Sequence, residues 1–325
     1  MQRRWFWLIA GCVLVLPASG SDLLRIERNM DAMGTTYTVV AYGSDRYALE
    51  DAVDSSLEEA KRLDHLLSNY RPDSEWSQVN QQAANHPVTL TQELFDLLSY
   101  CYDVSSKSEG AFDITVGPLM KVWGFYKGSG KIPHRAEIRT ALARVGYRHI
   151  HLDSSQKTVS FDTVGVEIDP GGIGKGYAVD RMADILKRKG ITSGFISGGR
   201  SSMYAIGNPP QEARGWRVAI PDPRDARKTF TEVFLKNESM STSGTSEKFF
   251  VAGGKTYSHI MDPRTGYPAE GMLSVSVIAP RTLDSEAWTK PFFINGKAWA
   301  ARNKPKEFRV FLCEDRMENS CASLQ

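Results

Sequence analysis

Residues 169–180 read Asp-Pro-Gly-Gly-Ile-Gly-Lys-Gly-Tyr-Ala-Val-Asp, the run with the most chemistry in it. A strand ends here, glycines let the backbone turn tightly, and a helix begins with its first amides unpaired. Such a helix start binds a phosphate through backbone N–H groups and the positive end of the dipole, with Lys175 adding a full charge. The spacing is neither that of the Walker loop nor that of the dinucleotide fingerprint. Taken alone, the run reads equally as a glycine-rich structural turn.

A second run, residues 257–268, carries His259 on a strand that enters a Pro- and Gly-containing turn with Asp262 and Arg264 beside it. A solitary strand histidine is commonly just packed. Its neighbours strengthen a functional reading, because a carboxylate and a guanidinium can order a site and hold anionic oxygens. Residues 241–247 offer hydroxyls on what reads as a solvated turn. Trp123, Phe125 and Tyr126 could stack on a flat ring or belong to the core.

The elements that must position these groups follow from periodicity. Strands at 23–27 and 35–42 flank a turn through Asp31, Ala32, Met33 and Gly34. Apolar residues recur at helical spacing over 47–67, and further helices are expected at 91–107, 135–145, 175–189 and 285–293. Three short strands are expected between 148 and 168. The C-terminal half is strand-rich, at 194–197, 203–206, 216–220, 229–235, 249–252, 256–261, 273–279 and 308–312. Strands in long runs with helices grouped between them predict an α+β fold rather than a doubly wound parallel sheet.

The composition fits a soluble globular protein: 325 residues, 41% hydrophobic, 24% charged, with a formal charge of +2. That balance leaves no concentrated basic face of the kind nucleic acid requires. Arg3 and Arg4 precede an apolar run at 5–16 and then Pro17, Ala18, Ser19 and Gly20, the pattern of an export signal spanning 1–20 with cleavage after Gly20. The run is short for a membrane span. A second reading makes Cys12 a lipid-carrying cysteine. Export leaves Cys101, Cys313 and Cys321 in an oxidising compartment; Cys313 and Cys321 could bridge a terminal loop, or each could be a buried thiol.

The order of the motifs is more specific than any one of them. Met33-Gly34-Thr35, Ser68-x-Tyr70, the Phe112 to Leu119 run, residues 169–180 and Gly198-Gly199 come first. Trp216-x-Val218-x-Ile220-x-Asp222-Pro223, Thr242-Ser243-Gly244 and the Ser258 to Gly266 run follow. Together they resemble the ApbE family, the FAD:protein FMN transferases, over nearly the whole of residues 21–325. The resemblance implies a two-lobed, T-fold-related α+β architecture with mixed or antiparallel sheets and flanking helices. It implies an enzyme that uses FAD and magnesium to move FMN onto a threonine of an acceptor protein, releasing AMP, in the periplasm and at times beside the inner membrane. Relatives that hydrolyse FAD to FMN and AMP, and a non-catalytic flavin-binding protein, are the alternatives.

By position, the resemblance places Met33 and Tyr70 at the flavin or adenine. Asp113, Thr115, Asp169, Gly172 and Lys175 fall in the nucleotide and phosphate region, and His259, Asp262 and Arg264 on the pyrophosphate side. Lys175, His259 and Asp262 are the implied catalytic groups, with His259 as the base for the acceptor hydroxyl. The family's metal ligands are a backbone carbonyl of the glycine run, here near Gly174, and an Asp and a Thr that align with Glu286 and Lys290. Asp284 and Thr289 are the nearest alternatives. Arg200 stands where an Asp is usual, Ser246 where a Tyr is frequent, and Gly174 where an Ala is usual.

Overall fold

The chain first turns at Met33 and Gly34, which take φ of 51° and 69° and close a two-residue hairpin between β1 (Leu24–Ala32) and β2 (Thr35–Gly43). Two left-handed residues match the twist of the flanking strands, and glycine is the residue that tolerates this most readily. The computed structural model describes residues 23–128, 130–316 and 321–325. The expected export signal at 1–20, with Cys12, lies outside them.

Asp45 caps α1 (Arg46–Leu67) by accepting from the Ala48 amide, and the helix buries Leu49, Val53, Ala60, Leu63 and Leu67 along the expected stripe. Then come α2 (Glu75–Gln82), β3 (Val88–Thr89), α3 (Gln92–Lys107), α4 (Gly117–Val122), α5 (Arg135–Leu142), β4 (Ile150–Asp153) and β5 (Thr158–Phe161). The second half runs α6 (Gly174–Arg188), β6 (Ser193–Gly198), β7 (Ser202–Ile206), β8 (Trp216–Asp222), β9 (Asp225–Leu235), β10 (Glu238–Gly244), β11 (Phe249–Ala252) and β12 (Lys255–Ser258). It closes with β13 (Met261–Asp262), β14 (Tyr267–Pro268), β15 (Met272–Ala279), α7 (Thr282–Asn303), β16 (Arg309–Glu314) and β17 (Cys321–Leu324).

Eight strands form one antiparallel sheet in the order β1-β2-β6-β7-β10-β15-β16-β17, which makes the fold α+β as expected. Side-chain alternation divides its two faces. On β15, Val275, Val277 and Ala279 join the core beneath α3 and α7, whereas Ile278 faces the β8–β9 ribbon with Met240, Val233 and Leu235. Beneath α1 and α6, the strands β2 and β6 contribute Tyr37, Val39, Ala41 and Ile196.

Four expectations are corrected. Residues 241–244 are not a solvated turn but the end of β10, where Ser239, Ser241 and Ser243 are buried on one face. Their hydroxyls are matched by Ser285 (3.0 and 2.8 Å) and Thr289 (2.8 Å) of α7, so the strand can bury three polar residues. His259 lies not on a strand but in the bend between β12 and β13. Only two strands form between 148 and 168; residues 154–157 turn between them and 162–165 bend and turn ahead of Ile168, which α2 holds. Finally, the expected helix at 285–293 is the middle of a longer one, interrupted at Gly296 (φ 77°). Cys313 and Cys321 face each other across β16 and β17 and form a disulfide, while Cys101 is a buried free thiol.

Helix α2 is short and mostly polar, which is why periodicity misses it, yet it fixes the approach to the glycine run. Trp76 Nε1 donates to the Ile168 carbonyl at 3.0 Å, and Asn80 brackets the same residue, accepting from its amide at 2.8 Å and donating to its carbonyl at 3.0 Å. Trp76 is fully buried. Trp76→Ala is therefore expected to cost about 3–5 kcal/mol by chemical denaturation, more than cavity-free surface changes on the same helix, and to loosen the segment before Asp169.

Candidate functional site

A cavity of about 610 Å³ opens where the ends of several elements converge. Its wall takes in the Met33 turn, the segment after α1, residues of the 111–116 stretch, the glycine run, the β6–β7 turn, the end of β10, the His259 bend and the first half of α7. That volume and the mix of apolar and charged lining suit a ligand larger than a single ring.

The glycine run is built by Asp169. Its Oδ1 accepts from the Gly171 amide at 2.8 Å, while Oδ2 accepts from Asn69 Nδ2 at 2.9 Å and from the Tyr126 hydroxyl. Burial pushes this carboxyl above the ordinary aspartate range, and the hydrogen bonds pull it back. Asp113 works in the same way one segment earlier: its carboxylate accepts from the Thr115 amide and hydroxyl at 2.8 and 2.6 Å and from the Tyr147 amide. Thr115 in turn accepts from the Gly146 amide at 2.7 Å.

Helix α6 has Ile173 at its N-cap without a side-chain cap, and its first residues, Gly174 and Lys175, line the cavity. One of them is claimed from outside: the Gly176 amide donates to the Glu286 carboxylate of α7. A Cβ on Gly176 would lie 2.5 Å from the Thr282 carbonyl, so glycine is required for this approach. Asp180 of α6 returns the contact, accepting from the amides of Thr282 (2.6 Å) and Leu283 (2.8 Å) at the start of α7. Burial raises the Asp180 carboxyl to about 6.

His259 has a fixed tautomer. Its Nδ1 lies 3.0 Å from the Lys248 carbonyl, which can only accept, so Nδ1 carries the proton and Nε2 keeps a free lone pair. Burial, assisted by the charges of Lys290, Lys248 and Lys175, lowers this imidazole to about 4, and the ring is neutral at pH 7. Asp262 and Arg264 are spent on each other: Arg264 Nε donates to Oδ1 at 2.9 Å and Nη2 to Oδ2 at 3.0 Å across the β13–β14 turn. Pro263 between them reaches the cavity wall.

Lys175, Arg200, Lys248 and Lys290 give the cavity a cationic side. The Lys175 ammonium donates to the Ser201 hydroxyl. Lys290 Nζ donates to the Gly172 carbonyl at 3.2 Å and to the Glu286 carbonyl at 3.0 Å. Burial lowers Lys290 from the ordinary lysine value and Lys175 adds to that, while Glu286 and Glu247 oppose it. These residues do not fit magnesium. Among the described residues no group of three or more His, Cys, Asp or Glu side chains converges. The Glu286 carboxylate caps α6, the Thr289 hydroxyl is shared between Ser243 and the Glu286 carbonyl, and the Lys290 ammonium sits on the Gly172 carbonyl, two residues before Gly174. A divalent ion about 4 Å from that ammonium would be repelled by roughly 8 kcal/mol at an effective dielectric near 20.

Of the residues singled out from the sequence, Met33, Tyr70, Asp113, Asp169, Gly172, Gly174, Lys175, His259, Glu286 and Lys290 lie on this one wall. Thr115, Asp262, Arg264 and Thr289 stand behind it, and Asp284 is engaged elsewhere with Arg281 and Tyr100. Sequence reasoning missed Asn69, Ser201 and Lys248. Asn69 sits within the Ser68-x-Tyr70 motif and Ser201 directly follows the Gly198-Gly199 turn, so both were adjacent to visible signals; Lys248 had none.

Comparison with known proteins agrees with this geometry. The sequence pattern of the ApbE family matches residues 33–311. The FAD:protein FMN transferase of Klebsiella pneumoniae (strain 342) is 33% identical over 293 residues, covering 86% of this chain and 90% of that protein. The Escherichia coli (strain K12) protein of the same name is 30% identical, with 81% and 76% covered. Among solved structures, the ApbE protein of Thermotoga maritima superposes with a TM-score of 0.83 at 30% identity, over 93% of this chain and 97% of that one. The apo form of the Pseudomonas stutzeri flavinyl transferase ApbE gives 0.79 at 28%, over 93% and 94%.

The His259 environment is directly measurable. Ring-nitrogen NMR is expected to show Nδ1 protonated and Nε2 unprotonated, with His259 titrating near pH 4 rather than near 6.5. Because the folded value is depressed, the associated stability is complete above about pH 6.5 and is lost as pH falls through about 4. A midpoint near 6.5 would contradict the buried placement.

Proposed function

The chain belongs to the ApbE family, and from that premise we propose that it is an FAD:protein FMN transferase, moving FMN from FAD onto a threonine of an acceptor protein and releasing AMP. The observation that carries the reading is the pairing of a neutral, tautomer-fixed His259 with a cationic helix start on one cavity wall. The bond made joins the threonine oxygen to the FMN phosphorus; the bond broken is the bridging P–O bond, whose electrons leave with AMP. His259 Nε2 takes the hydroxyl proton. The α6 amides and Lys175 hold the phosphate oxygens as charge shifts toward the leaving group. Met33 and Tyr70, at opposite ends of the glycine run's neighbourhood, are assigned to the flat rings of the dinucleotide. Asp113 and Asp169 act by shaping the backbone around the phosphates, Thr115 by bracing Asp113, and the Asp262–Arg264 pair by holding the turn beside His259.

Magnesium belongs to the family resemblance rather than to these side chains, and no step here depends on it. The place of action is proposed to be the periplasm. The basic and apolar pattern of residues 1–20 supports it, and so does the Cys313–Cys321 bond, which persists in oxidising compartments. Association with the inner membrane would come through Cys12; no helix among the described residues is long and apolar enough to span a bilayer.

Incubation of the chain with FAD and a threonine-bearing acceptor is expected to give covalent flavin on the acceptor and one AMP per flavin. His259→Ala is expected to lower transfer by about 10²–10⁴-fold with FAD affinity kept; undiminished transfer would remove His259 from the proton step. AMP without labelled acceptor would identify an FAD hydrolase instead, and FAD binding without AMP a flavin-binding protein.

A further inference from the structure

Lys290 is unusual among the cavity cations. It projects from the first half of α7, and its ammonium is clamped between two backbone carbonyls, Gly172 at 3.2 Å in the glycine run and Glu286 at 3.0 Å one turn back. An ammonium has three N–H donors, so one is left over on a side chain that lines the cavity. Gly172 leaves room for this approach: a Cβ there would lie 3.3 Å from the Phe112 ring and 3.6 Å from Lys290 Cε. A flexible lysine has here been made a fixed charge. The same contacts place a full positive charge in the glycine run two residues before Gly174, while the Glu286 carboxylate is already bonded to the Gly176 amide.

We propose that Lys290 is the built-in cation of the phosphate site: its clamped ammonium, together with Lys175, neutralises the pyrophosphate in place of a bound divalent ion. The inference rests on the reading that FAD is the substrate. A dianionic pyrophosphate arriving beside Lys290 stabilises the charged ammonium, so ligand and lysine reinforce each other. The geometry is preorganised, since the clamp bonds form within the fold and need no rearrangement when the ligand enters. Arg200, which also lines the cavity, adds a further charge and completes a metal-free set.

The test uses the full exported chain after removal of metals on a chelating resin. Mn²⁺ binding without FAD is read by electron paramagnetic resonance, FAD affinity by flavin fluorescence, and AMP release with EDTA or with Mg²⁺. The wild-type chain is expected to bind no Mn²⁺ below millimolar concentrations, and FAD affinity and AMP release are expected to change by less than about twofold between EDTA and Mg²⁺. Lys290→Met, which keeps the stem and removes the charge, is expected to weaken FAD about tenfold in EDTA. The double change Glu286→Asp with Lys290→Thr is expected to create micromolar Mn²⁺ binding and a metal requirement.

Micromolar, stoichiometric Mn²⁺ binding by the wild-type chain would overturn the proposal. So would loss of FAD binding in EDTA, or unchanged FAD affinity in Lys290→Met. If AMP is never released, the transferase reading fails, while Mn²⁺ binding and FAD affinity still decide the role of Lys290.

Discussion

Two helices that cap each other hold this cavity open. Glu286 of α7 accepts the Gly176 amide at the start of α6, and Asp180 of α6 accepts the Thr282 and Leu283 amides at the start of α7. Each helix thus supplies a carboxylate to amides at the other's N-terminus, and each carboxylate meets the positive end of a dipole. The exchange works only because Gly176 has no Cβ to strike the Thr282 carbonyl. Neither helix can shift without orphaning buried donors on the other, so the amides of α6 and the ammonium of Lys290 stay in a constant relation. The proposed anion site is a by-product of how the helices are fastened.

The same logic extends into the sheet. The buried serines of β10 present a polar ladder that α7 answers with Ser285 and Thr289, which sets the height of α7 along the strand. Hydroxyl pairs are directional where apolar packing is not, so they specify position as well as contact. Opposite them, Asp169 and Asp113 spend their carboxylates on backbone amides, turning two irregular segments into rigid walls. These two acidic side chains on the cavity lining are in this way architectural.

Much of this was legible in the chain. The long amphipathic helix, the glycine run, the strand-rich second half and the motif order were all visible, because each rests on local periodicity or on residue types with narrow uses. What escaped notice depends on partners far away in sequence. Residues 241–244 look like a loop because serines are polar; only α7, more than forty residues later, makes them a buried strand. Helix α2 carries too few apolar residues to announce itself, and Lys248 orients the His259 ring through its backbone carbonyl, a contact that no side-chain pattern encodes. Asp262 and Arg264 show the converse: residue types suited to catalysis that satisfy one another instead.

The disulfide at the end of the chain has a consequence beyond the residues it joins. Strand β17 is the last rung of the eight-stranded sheet, and Cys313–Cys321 tethers it to β16. Without that tether, the amides and carbonyls along Arg309–Glu314 would become an open edge, the kind of surface on which another extended chain can add itself. The bond therefore decides which strand forms that edge: the outer rung is the four-residue β17 rather than the six-residue β16, a shorter edge at the end of the sheet opposite β1.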